Sequence, residues 1–201
     1  METKNWRQKV FSVVKRYSVN TGLFLLEFIK IAVLAAITVW LVRYFLFKPF
    51  YVKGASMEPT YQDNEYLIID EISYRFHEPQ RGDVIVFRYP YDPKEYFLKR
   101  VIGLPGERVK ISGGQIIIYN TQHPEGVAVS EQYIPSQVVT EGDELVTLTN
   151  NEYFVMGDNR ENSFDSRRFG PIDRSAIVGR VWFRGWPLNR MDFFQSPQFQ
   201  F

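Results

Sequence analysis

Tyr96-Phe97-Leu98-Lys99-Arg100-Val101-Ile102-Gly103 is the stretch on which the fold turns. Side chains alternate across a strand, so Phe97, Lys99 and Val101 share one face of it. Around it in the chain lie other short runs rich in β-branched and aromatic residues: EYLIID from Glu65, GDVIVFRY from Gly82, QIIIYN from Gln115, NEYFVMGD from Asn151 and AIVGRVWFRGW from Ala176. Strands of this length, broken by Pro-Gly, Gly-Gly and Gly-Asp pairs, argue for an antiparallel sheet or barrel. Pro105-Gly106 and Gly113-Gly114 are expected to join neighbouring strands into hairpins. The stretch from about 107 to 151 is less hydrophobic, carries His123-Pro124, Pro135 and several acidic residues, and reads as an insertion or small cap with little part in the chemistry.

Working outward, a chain of 201 residues with 45% hydrophobic content buries one substantial core, or one core plus a membrane anchor. The 24 basic and 23 acidic residues leave a net charge of +1, which implies no polyanionic partner and gives no reason to expect nucleic-acid binding. Cysteine is absent and only His77 and His123 offer imidazoles, so thiol catalysis, a zinc site or a histidine-based triad is hard to build. No metal and no cofactor are expected. The lack of disulfides does not decide the compartment.

Residues 23–47, LFLLEFIKIAVLAAITVWLVRYFLF, have about the length that spans a bilayer. Their uncharged run, 31–42, is by its length also compatible with a buried helix. Lys30 and Arg43 lie near the ends, where long side chains snorkel, and Trp40, Tyr44 and Phe45 suit an interfacial belt. No small-x-small site with a polar start follows, so the segment reads as an uncleaved anchor. Lys4, Arg7, Lys9, Lys15 and Arg16 precede it, whereas only Lys48 and Lys53 follow closely. The positive-inside bias puts the N-terminus in the cytoplasm and the rest of the chain outside. The expected organisation is a basic cytoplasmic N-terminus over 1–22, a transmembrane helix over 23–47, a mostly β extracytoplasmic domain over 48–195 and a tail over 196–201.

Three segments, the opening strand among them, carry candidate chemistry. In Gly54-Ala55-Ser56-Met57-Glu58-Pro59-Thr60, small residues leave a serine hydroxyl uncrowded, although alone the segment reads as an ordinary loop. Lys99 stands on an apolar strand face, where desolvation lowers an ammonium pKa and makes a base of it; an edge-strand lysine that blocks aggregation is the other reading. The run from Met156 to Pro171 packs charged and Asx residues into an otherwise apolar domain, as a hydrogen-bonded loop or a solvated turn does.

Together these segments resemble the type I signal peptidases, membrane serine proteases that remove signal peptides from exported proteins. The family's serine-methionine-x-proline-threonine motif is met by Ser56 to Thr60, and its lysine-arginine-x-x-glycine-x-proline-glycine motif by Lys99 to Gly106. Its glycine-aspartate-asparagine motif, ending in serine-x-aspartate-serine-arginine, is met by Gly157 to Arg167. The resemblance spans the anchor and the domain from Phe50 to about Pro187, and is weakest over the insertion.

The resemblance implies a Ser56 nucleophile with Lys99 as general base, Ser163 as the serine that hydrogen-bonds and orients the lysine, an Asp165–Arg167 ion pair, and Asp158 bracing its loop. It implies an oxyanion hole from the Ser56 backbone N–H. Gly54 stands where some members carry a hydroxyl donor, so no side chain assists there. It further implies cleavage after an Ala-x-Ala-like site, with shallow apolar pockets lined by Phe50, Val52, Met57, Tyr61 and Leu98. The expected partners are signal-peptide-bearing preproteins, membrane lipid and, by proximity, the secretion translocon; the expected location is the plasma membrane, in a single pass. The alternatives are a Ser-Lys processing peptidase of narrow range and a noncatalytic membrane-tethered binding domain.

Overall fold

The computed structural model describes residues 24–40, 47–135 and 137–194. The chain divides into an N-terminal unit ending at Phe45 and a β-rich unit that begins at Leu46. In the first, residues 24–40 are α-helical (α1), and every one of them is exposed, apolar side chains from Phe24 to Trp40 included. The remainder of the span expected over 23–47 lies largely outside the described residues, and among the described residues no helix is long and apolar enough to cross a membrane. The basic N-terminus and the tail lie outside the described residues.

The β-rich unit is antiparallel throughout and consists of two sheets. The first contains β1 (Phe47–Tyr51), β2 (Tyr66–Asp70), β3 (Val84–Tyr89), β4 (Asp92–Gly103), β9 (Glu152–Met156), β10 (Ile172–Asp173), β11 (Ile177–Trp186) and β12 (Asp192–Phe193). Its order is β1-β2-β11-β3-β4-β9-β10, with β12 against β11. Pairing among the described residues leaves β1 and β10 as edges, so the sheet is open rather than a closed barrel. The second sheet contains β5 (Arg108–Ser112), β6 (Gln115–Tyr119), β7 (Val127–Ala128) and β8 (Glu144–Thr147), in the order β7-β6-β5-β8. One turn of helix, α2 (Ser166–Phe169), follows β9.

The apolar patterning explains these pairings. In β2, Leu67 and Ile69 are buried while Tyr66 between the loop and Leu67 is exposed, the alternation of a strand with one covered face. β4 is buried on both faces from Leu98 to Gly103: Val101 packs with Ile85, Phe87 and Phe169 on one, and Ile102 with Val109 and Ile111 of the second sheet on the other. Each fully buried aliphatic or aromatic side chain stabilises the fold by about 1.5–3 kcal/mol before entropy is counted.

One of the two expected hairpins forms. Gly113 and Gly114, both at positive φ, close the two-residue β5–β6 loop with Ser112 opposite Gln115. Pro105-Gly106 does not join paired strands: β4 pairs with β3 and β9, β5 with β6 and β8. The turn instead carries the chain from one sheet to the other, fixed by the Glu107 carboxylate, which accepts the Leu104 N–H at 2.8 Å and, through both oxygens, Arg81 Nη2. The 107–151 stretch is thus a sheet with a core of its own, where Val109, Ile111, Ile116 and Ile118 pack on Ile102, Phe154 and Met156 of the first sheet.

Candidate active site

Ser56 lies on the loop after β1. Met57, 1% exposed, plugs that loop into the core between Val52, Leu67 and Leu98, leaving Ser56 half-exposed at the surface. The loop is tied on several sides. Gly54 N–H donates to Asp63 Oδ1 at 2.7 Å, and Tyr61 N–H to the Met57 carbonyl at 2.9 Å. The Thr60 hydroxyl donates to Asp158 at 2.6 Å, and Asn159 donates its N–H to the Ser56 carbonyl and its amide side chain to the Ala55 carbonyl, both at 3.1 Å. The Ser56 N–H has no acceptor among the described residues.

Lys99, on β4 opposite Ile85 of β3, extends to the same point: its Nζ lies 2.8 Å from Ser56 Oγ and donates to the Leu98 carbonyl at 3.0 Å. It is 4% exposed. Burial lowers the ammonium from 10.5 to about 8, while the charges of Asp165 and then Asp158 pull the other way. The apolar setting comes from Phe97, two residues back on the same face, whose ring centre is 5.4 Å from Nζ and which stacks on Tyr89 at 4.7 Å.

The segment after β9 supports both residues. Gly157 is pressed so closely against the Ser56 carbonyl and Ser163 that a Cβ would collide with both. Asp158, fully buried, receives Arg100 Nε at 2.8 Å and Nη2 at 2.6 Å. Asp165 caps α2 and pairs with Arg167 through two 2.9 Å hydrogen bonds; it also accepts the Gly157 N–H at 3.0 Å. Burial alone would raise the Asp165 carboxyl, but Arg167 and the Gly157 N–H hold it below its usual range. Ser163 departs from expectation. Its hydroxyl is sealed from solvent and helps Arg167 and the Gly157 N–H hold down the Asp165 carboxyl, and no hydrogen bond joins it to Lys99 among the described residues.

A cleft of about 490 Å³ opens at Ser56 and Lys99. Phe50, Val52, Met57 and Leu98 line it as expected, and Gly54 sits on its rim at φ +90° with nothing within 4 Å of a Cβ. Tyr61 does not line it: 1% exposed, it lies in the core beneath the loop with its ring 4.6 Å from Phe194. Tyr51, Tyr96, Phe97, Asn162 and Phe164 complete the wall instead. These lie at positions that the motifs around the serine and lysine do not mark, so nothing local in the sequence distinguishes them. Arg100 and Asn159 were missed as well, although a charged residue on a strand covered on both faces signals a buried partner. No cluster of His, Cys, Asp or Glu among the described residues has the geometry to hold a metal ion.

The model of the family described as signal peptidase, peptidase S26, matches residues 25–186. A signal peptidase I of Leptolyngbya laminosa is 39% identical over 176 residues, which cover 83% of this chain and 82% of that protein. The probable signal peptidase I-2 of a Synechocystis species is 38% identical over 172 residues, 83% of this chain and 75% of its own length. Signal peptidase IB of Staphylococcus aureus is 31% identical over 185 residues, 87% of this chain and 96% of its own. Among solved structures, a signal peptidase I from Enterococcus faecalis is 32% identical and aligns over 52% of this chain and 97% of its own with a TM-score of 0.44.

Proposed function

Since the chain belongs to the signal peptidase family, peptidase S26, and is a serine peptidase that acts on signal-peptide-bearing preproteins, we propose that Ser56 and Lys99 are its nucleophile and general base. One observation carries this reading: an amine 2.8 Å from a serine hydroxyl, almost wholly out of water. A base acts only in its neutral form, so what matters is how much of the amine is neutral at working pH. With its pKa lowered from 10.5 to about 8, roughly one Lys99 in ten is neutral at pH 7, against about one in three thousand for an ordinary lysine.

In the neutral state the hydrogen bond reverses, the Ser56 hydroxyl donating to the Nζ lone pair. As Oγ attacks the scissile carbonyl, its proton passes to Nζ; Lys99 then returns that proton to the leaving amine, and acylated Ser56 remains. Water, activated by the same amine, completes hydrolysis. The Ser56 N–H, with no internal acceptor, is the donor available to the oxyanion. Asp158, Asp165 and Arg167 act on the geometry, not on the substrate.

The shallow apolar cleft walled by Phe50, Val52, Met57 and Leu98 suits small side chains, which supports cleavage after an Ala-x-Ala-like sequence. The exposed apolar surface of residues 24–40, with the basic residues before it, supports a single-pass anchor with the N-terminus in the cytoplasm and the β-rich unit outside, beside lipid and the secretion translocon. The test is cleavage of a lipid-embedded precursor bearing a small-x-small site. Ser56→Ala and Lys99→Met should abolish it, and Lys99→Arg should not restore it, because a guanidinium stays charged. Wild-type rates in any of the three would overturn the reading.

A further inference from the structure

Arg160 is the one arginine of the motif loop whose role the Ser–Lys chemistry does not use, and its guanidinium is wholly buried. All three of its nitrogens are engaged. Nε donates to the Gly157 carbonyl at 2.9 Å, and Nη1 to Glu131 Oε2 at 2.6 Å and Thr140 Oγ1 at 2.7 Å. Nη2 donates to Glu131 Oε1 and to Tyr133 Oη, the latter at 3.3 Å. The Tyr133 hydroxyl in turn donates to Glu131. Three of the four acceptor residues therefore belong to the segment between β7 and β8, within the 107–151 stretch expected to have little part in the chemistry.

We propose that Glu131 and Tyr133 are positioning residues for the Ser56–Lys99 pair, holding residues 157–162 against the serine loop through the Arg160 guanidinium. The inference rests on the Ser–Lys reading for its effect on rate. The path is short. Arg160 fixes the Gly157 carbonyl; Asp158 follows, holding Arg100 and Thr60; Asn159 follows that, donating to the carbonyls of Ser56 and Ala55. The Tyr133 ring also lies on the Arg100 guanidinium, 3.9 Å from its centre, so one segment contacts both cations that flank the site. Without Glu131, Arg160 is a buried cation with its charge unanswered. It then draws in water or swings out, and either movement releases the Gly157 carbonyl.

A matched control exists. Arg81 and Glu107 form a comparably buried pair, in which Nη2 donates to both carboxylate oxygens at 2.6 and 2.7 Å, and this pair fixes the turn between the sheets. The experiment compares E131A, E131Q and E107A in the full chain, reading precursor cleavage per folded molecule and amide hydrogen exchange over residues 157–162. E131A should lower kcat at least about tenfold with KM within about twofold, because the cleft walls are untouched. E131Q, which keeps a neutral acceptor, should recover part of that loss, and exchange over 157–162 should quicken most in E131A, less in E131Q and not in E107A. E107A should lose stability yet keep its kcat. Wild-type kcat and exchange in E131A, or an equal kcat loss in E107A, overturns the proposal. If E131A does not fold, Y133F, which removes only the hydroxyl between Glu131 and Arg160, must show the same changes at a few-fold scale, and their absence overturns it. S56A in the same assay separates the two claims: cleavage by S56A defeats the Ser–Lys reading, while the exchange data still decide whether the segment holds the loop.

Discussion

Gly157→Ala adds a single methyl group at the point where the two loops of the site meet. A Cβ there would stand 2.6 Å from Ser163 Cβ, and nearer still to Ser163 Oγ and the Ser56 carbonyl oxygen. Ordinary contact begins at about 3.4 Å, so the loops must part by at least about 0.8 Å. Ser163 cannot yield easily, since Asp165 two residues on is bonded to the Gly157 N–H and to Arg167. The serine loop is the freer side, half-exposed at Ser56. A shift of that size turns a 2.8 Å Nζ–Oγ contact into one of about 3.6 Å, beyond hydrogen-bond reach. Misplacement of about 1 Å costs roughly a hundredfold in rate, equivalent to about 2.7 kcal/mol in the barrier. The accompanying overpacking costs about 1–3 kcal/mol of stability. Single-turnover cleavage of a detergent-solubilised precursor, with a thermal melt on the same sample, measures both. A folded Gly157→Ala protein that cleaves within about threefold of wild type would refute the reasoning.

Two more outcomes follow from the same geometry. Asp158→Asn breaks a buried pair with Arg100 and should cost about 3 kcal/mol in denaturant unfolding; because the Asp158 charge raises the Lys99 pKa, its loss should also move the acid limb of kcat/KM to lower pH. Gly103→Ala would set a Cβ 2.5 Å from Val109 Cγ2 and 2.8 Å from Leu148 Cδ1, so it should destabilise by about 1–3 kcal/mol while leaving the rate per folded molecule unchanged, as paired melting and kinetic measurements would show.

The strands around Lys99 were legible because burial on one face writes alternation into a sequence, and burial on both faces writes an apolar run. The desolvated lysine was legible for the same reason. Pro105-Gly106 misled because a turn signal gives the bend and not the destination: whether the next strand pairs with the last depends on the sheet edge available, and β3 and β9 occupy both edges of β4. Tyr61 misled because its nearness to Ser56 in sequence says nothing of which way the loop's underside faces; the core took it. Glu131 and Tyr133 left no local signal at all. Their significance lies in long-range partners, Arg160 and Arg100, and a polar residue in a loop reads alike whether it meets water or a buried guanidinium.

Burial brings the Lys99 amine beside Ser56 within reach of its neutral, basic form near pH 7. An NMR titration of the full chain carrying isotope-labelled lysine, with Lys99→Met to assign the signal, measures that amine directly. The midpoint should lie at about 8. A midpoint at the ordinary lysine value of 10.5 would contradict this reading of Lys99.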